Sequence, residues 1–113
     1  MIFHIAEESD WQAAQISGEY RISARGRTLA EEGFIHASHR DQVLGVAEAF
    51  YADAGPLLLL SIDPARLSAP VRDEEVAPGT VFPHIYGPIE LDAVVAVAPL
   101  DRGADGRFVL PHG

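Results

Sequence analysis

The sequence predicts an α+β fold with two short helices and a largely antiparallel later half, in a single domain spanning residues 1–113. Three observations point there. Strand-like and helix-like segments alternate up to about residue 62, and only strand-like runs separated by turns follow. At 113 residues and 48% hydrophobic content the chain can build one core but not two ordinary ones.

The elements follow in order. "MIFHIA" opens as a short strand, because Ile2, Phe3 and Ile5 suit a pleated surface; His4 interrupts it. In "SDWQAAQISGEY", Ser9 with Gln12 three residues later forms a capping-box pattern that starts a helix, and Gly18 is placed to end it. Residues 20–33 are polar and turn-rich, which predicts a mobile connector containing Arg25, Gly26 and Arg27 and one helical turn at 28–32. "GFIHAS" supplies a second strand. Ser38 then offers a capping hydroxyl and Asp41 an acidic first turn. Val43, Leu44, Ala47, Phe50 and Tyr51 fall on the apolar stripe of a core-facing helix.

"GPLLLLSID" is a continuous apolar run ended by Asp63-Pro64, so it predicts a strand covered on both faces at the centre of a sheet. After a turn at 65–67, "PVRDEEVAPGTVFPHIYGP" alternates punctuation with apolar residues and is expected on the surface, its prolines arguing against a central strand between Phe82 and Pro88. "IELDAVVAVAPL" gives another strand, and "DRGADGR" a turn before an edge strand at Phe108 to Leu110.

Composition narrows the function. With 17 acidic and 8 basic residues, the net charge of -9 repels a polyphosphate backbone over a Debye length of about 10 Å, so nucleic acid is not an expected partner. Every basic residue is an arginine; the tight pair Arg25 and Arg27 fits either a solvated turn or a local anion site. The absence of cysteine excludes disulfides, thiolate metal ligands and thiol nucleophiles. The N-terminus lacks a basic segment followed by a long apolar one, and no apolar stretch approaches 18 residues, so the expectation is a soluble cytoplasmic protein.

Two clusters carry chemistry. In extended "GFIHASHR", Phe34, His36 and Ser38 project to one side, which sets His36 where a strand meets a helix start. It is either a core-edge histidine bonded to a carbonyl or part of a site. Ser38 is equally explained as a cap, and His39 is expected to be exposed. In "FPHIYG", His84 and Tyr86 share one side between Pro83 and Pro88, as a structural turn or as a grip on a flat polar ligand. Glu74 and Glu75 just upstream are candidate acids, although adjacent acids on a polar loop are commonly solvated. No nucleophile elbow, dinucleotide fingerprint or phosphate loop is present. A metal centre on His4, His36 and His84 would need three ligands converging within about 2.3 Å.

The ordered series "IFHI", Trp11, "GFIHASHRDQV", "LLLLSID" and "FPHIYGPI" resembles the DUF952 family of small bacterial proteins along essentially the whole chain. That resemblance implies split antiparallel-rich sheets similar to the ADP-ribosyltransferase fold, in which active members clamp NAD in a cleft. It places His4 on the first strand of the site, His36 with Ser38 on the second, and the His84 and Tyr86 loop near the third. Glu74 takes the place of an acid preceding the FPHxYGP motif, while no glutamate matches the later-strand position unless Glu90 does. The expectation is thus a cleft that binds NAD or an ADP-ribose-like small molecule. His36, His84 and Glu74 are the catalytic candidates, and His4, Ser38 and Tyr86 the binding ones. A non-catalytic binding module and a metal-assisted hydrolase are the competing readings.

Overall fold

A computed structural model of the chain describes residues 1–111. The fold is α+β, with every strand pairing antiparallel. Strand β1 (Ile2–Glu7) leads into helix α1 (Glu8–Ser17), followed by β2 (Glu19–Tyr20), β3 (Ile22–Ala24), β4 (Arg27–Thr28), the single helical turn α2 (Leu29–Glu32) and β5 (Ile35–His36). Then come α3 (Val43–Phe50), β6 (Leu57–Ile62), β7 (Val71–Ala77), β8 (Thr80–Ile85), β9 (Ile89–Glu90) and β10 (Val94–Pro99).

Two three-stranded sheets dominate, ordered β1-β6-β10 and β5-β8-β7; β2 with β9 and β3 with β4 add two-stranded ladders. The apolar run at β6 is central to its sheet, as its composition predicts. Alternation along β1 then divides the core. Ile2 and Ala6 join one cluster with Tyr20, Ile35, Leu60 and Ile85, whereas Phe3 and Ile5 join a second with Val43, Ala47, Tyr51 and Phe108.

Several local expectations are corrected. Helix α1 starts at Glu8 with Glu7 as its N-cap and no side-chain cap bond, so Ser9 lies inside the first turn instead of preceding it. Gly18 does end the helix, in the left-handed region at φ 100. The predicted connector at 20–33 is organised by the β3–β4 hairpin and by a Thr28–Glu31 capping box on α2. Ser38 caps nothing: its N–H and C=O are both exchanged with Phe3, and a 3-10 turn at Arg40–Gln42 precedes α3. At 108–110 there is an isolated Arg102–Phe108 bridge and no edge strand.

The largest correction is β8. It occupies the middle of its sheet even though it contains Pro83, which is fully buried. The Pro83 carbonyl accepts from the Ala37 N–H at 3.1 Å, just past the end of the two-residue β5. The missing proline donor therefore falls where the neighbouring ladder has already stopped.

Among the described residues, backbone-to-backbone hydrogen bonds join the two large sheets at one place. Phe3 on the edge strand β1 and Ser38 just after the edge strand β5 exchange two backbone hydrogen bonds, 2.9 and 2.8 Å. Beside this bridge lies a cleft that Phe3, His4, Ala37 and Ser38 help to line.

Candidate functional site

Register explains why the cluster forms. His36 pairs with His84 and Arg72 with His84, while Glu74 pairs with Phe82. Paired residues share a face and the period is two, so Phe34, His36, Arg72, Glu74, Phe82, His84 and Tyr86 all project from one side of the β5-β8-β7 sheet. The opposite face carries Ile35, Pro83 and Ile85, all fully buried. Phe34 stacks on the His84 ring at 4.1 Å between centroids, and the His36 and His84 rings meet edge to face at 5.5 Å.

This face borders a cavity of about 430 Å³ whose other walls come from β1, the β3–β4 hairpin and α3. His4, His36, Ser38 and His84 all line it, together with Phe82 and Tyr51. Four of the six predicted site residues thus converge on one hollow. Glu74 and Tyr86 do not border it. They stand behind His84: Glu74 Oε1 lies 2.8 Å from His84 Nδ1 and also accepts from the Tyr86 hydroxyl. Those contacts, the Tyr86 bond first and the His84 bond second, hold the Glu74 carboxyl below the usual carboxylate range.

The proton positions on the imidazoles follow from their partners. His4 Nδ1 is 2.5 Å from the His36 carbonyl oxygen, which can only accept, so Nδ1 carries the hydrogen. Its Nε2, 2.8 Å from the Tyr20 hydroxyl, then accepts. Burial pushes the Tyr20 phenol above its ordinary pKa and keeps it a donor. The His4 pKa falls to about 4, mainly from desolvation, so the ring is neutral. Both of its nitrogens are engaged inside the protein. His4 acts as a strut between β1, β5 and β2, which leaves no ring nitrogen for a ligand hydroxyl or a metal. The competing reading of a three-imidazole metal centre finds no support, because among the described residues no group of three His, Cys, Asp or Glu side chains is placed to hold a metal ion.

His36 and His84 differ from His4. Ser23 spends its only hydrogen on the Phe34 carbonyl at 2.5 Å, so at 3.0 Å from His36 Nδ1 its oxygen accepts from that ring. His84 Nδ1 donates to Glu74. His84 Nε2 is buried without a partner among the described residues. Burial, with the nearby His84 ring second, lowers the His36 pKa.

The remaining candidates lie elsewhere. Arg25 and Arg27 reach the cavity rim, but Arg25 pairs with Asp53 at 2.6 Å and Arg27 with Glu32 at 3.2 Å. His39 sits outside, 3.2 Å from Asp73, and Glu75 is exposed. Glu90 accepts from the Ser68 N–H and does not border the cavity. Sequence reasoning missed Ser23, Tyr20 and the Phe34 stack. The segments "EY" and "ISA" hold no spacing that marks them; the period-two relation of Phe34 to His36 was the one available signal.

The fold and the site together define a small antiparallel α+β domain with a histidine-walled cavity between two sheets. The chain belongs to the family described as "Protein of unknown function (DUF952)", whose sequence model matches residues 5–97. It is similar to the crystal structure of protein CC0527 from Caulobacter crescentus, at 30% identity and a TM-score of 0.82, covering 96% of this chain and 92% of that one. The solution NMR structure of CC0527 gives 32% identity and a TM-score of 0.75 over 94% and 89% of the two chains. Among curated proteins none matches.

Proposed function

We propose that the protein is a cytoplasmic binder of NAD or an ADP-ribose-like molecule, which it holds in the cavity between its two large sheets. One observation carries this proposal: His84, 5% exposed, borders the cavity with Nε2 unpartnered while Glu74 fixes its other nitrogen. A buried imidazole acceptor without a partner costs about 1–3 kcal/mol, and a ligand hydroxyl or amide would recover it. The aromatic walls at Phe82 and Tyr51 suit a flat ring, and Ser38 adds a hydroxyl. The joining of two three-stranded sheets by a single backbone bridge, beside the His4 strut, supports the finer, ADP-ribosyltransferase-like reading of the fold.

If the site turns its ligand over, the step is glycosidic cleavage. A water oxygen attacks the anomeric carbon, its proton passes to His84 Nε2, and nicotinamide leaves with the electron pair of the broken bond. Glu74 acts through His84, orienting the ring and stabilising the imidazolium that forms. Titration calorimetry with NAD and with ADP-ribose, followed by product analysis, tests both parts. The expected result is saturable heat at millimolar ligand or below. No heat with either ligand overturns the proposal, and binding without released nicotinamide makes the protein a non-catalytic module.

A further inference from the structure

We infer that Ser23 is a positioning residue for this site: it holds His36 in the Nδ1–H form, so that the His36 ring on the cavity wall keeps Nε2 as an acceptor. Ser23 is completely buried on β3, outside every motif of the chain, yet its hydroxyl lies 3.0 Å from His36 Nδ1, and its backbone carbonyl, a second acceptor, faces the same ring. The direction of the bond is forced. A hydroxyl has one hydrogen, and the Phe34 carbonyl can do nothing but accept it. What remains on Ser23 is a lone pair facing His36 Nδ1, and the imidazole has to donate.

Glu74, on the neighbouring strand β7 and the same sheet face, imposes the same form on His84. Two unrelated groups, a serine from the hairpin and a glutamate from β7, thus set two neighbouring rings alike. Their centroids are 5.5 Å apart, and both rings border the cavity. A wall whose imidazoles keep Nε2 as an acceptor selects a ligand fragment that presents a donor, such as a primary amide or a hydroxyl, and disfavours a carboxylate, which can only accept. This selectivity rests on the ligand reading above; the assignment of Ser23 does not.

The test is long-range proton–nitrogen NMR of ring-labelled histidine at a pH where the rings are neutral. The wild type is expected to show His36 with a pyrrole-type Nδ1 and a pyridine-type Nε2, the same pattern as His4. In Ser23→Ala the two signals should exchange character or average, and Ser23→Thr, which keeps the hydroxyl, should restore the wild-type pattern. His4 is the internal control and should not change. Should Ser23→Ala not fold, Ser23→Cys, with its weak sulfur acceptor, gives the same comparison. A wild-type His36 protonated on Nε2, or a variant ring that keeps Nδ1–H without the serine, overturns the inference. A second arm compares nicotinamide with nicotinate as probes, with at least tenfold weaker binding expected for the acid. Equal binding removes the donor selectivity. Failure of both to bind removes the ligand reading and the selectivity with it, while the tautomer result stands without any ligand.

Discussion

His36 and His84 stand opposite one another across the β5–β8 ladder, edge to face at 5.5 Å, and each is held at Nδ1 by a group from a different strand. The pair exists only because β8 runs through the middle of its sheet. Its chemistry depends on groups that never touch the cavity, and the predictions concern those groups first.

Tyr86→Phe removes the hydroxyl that contributes most to holding the Glu74 carboxyl below its ordinary pKa. A carboxylate with a depressed folded-state pKa adds stability that is present above the unfolded value of 4.5 and is lost as pH falls through the lower folded value. The Glu74 carboxyl should therefore titrate closer to 4.5 in the variant, and the acid limb of the stability curve should flatten. Carbon-13 titration of the carboxyl checks this; an unchanged midpoint would mean that the hydroxyl contributes nothing there.

His4 governs a wider pH window. Its pKa is about 4 in the fold against 6.5 in the unfolded chain, so between these values the unfolded state binds the extra proton. Stability is fully present above pH 6.5 and falls as pH drops toward 4, by about 3 kcal/mol at 1.36 kcal/mol per unit. His36, shifted the same way, steepens the decline. Urea melts between pH 7.5 and 4 should show this loss. His4→Gln should reduce the slope while costing about 1–3 kcal/mol at pH 7.5, because the His36 carbonyl and the Tyr20 hydroxyl lose well-placed partners.

If the cavity is the ligand site, His36→Ala and His84→Ala should each weaken NAD binding at least tenfold, about 1.4 kcal/mol. His39→Ala, outside the cavity and paired with Asp73, should leave affinity unchanged. Calorimetry on the three variants distinguishes a cavity site from one on the surface, since equal losses in all three would place the ligand elsewhere.

These expectations separate what local pattern can carry from what it cannot. The apolar run of β6 and the period-two spacing of His84 and Tyr86 depend on near neighbours, and both could be read directly. The central position of β8 could not, because Pro83 signals an edge to any local rule, and only the early end of β5 makes it harmless. The bridge between Phe3 and Ser38 is equally invisible: it joins distant backbone groups, and the Ser38 side chain suggested a cap instead. Ser23 and Tyr20 take their roles from histidines far away in the chain, so no spacing around them carries the information.

Gly87 links the site to the rest of the fold through a close approach. A Cβ there would lie 2.7 Å from the Ala69 Cβ, and the neighbouring Tyr86 N–H is bonded to the Pro70 carbonyl at 2.9 Å. Gly87→Ala must push the 69–70 backbone away and should cost about 1–3 kcal/mol as an overpacking change. Because the displaced segment anchors Tyr86, the variant should also loosen the Tyr86–Glu74 contact and raise the Glu74 midpoint, as Tyr86→Phe does. Adding Ala69→Gly removes the clashing methyl and should recover most of the loss, a coupling of about 1 kcal/mol or more in a double-mutant cycle. Gly45 is the contrast. It lies inside α3 with nothing within 4 Å of an added Cβ, so Gly45→Ala should stabilise the protein by about 0.5–1 kcal/mol through helix propensity. Thermal melts of the four variants decide the matter: if Gly87→Ala melts with the wild type, the 69–70 segment yields freely and does not hold Tyr86 in place.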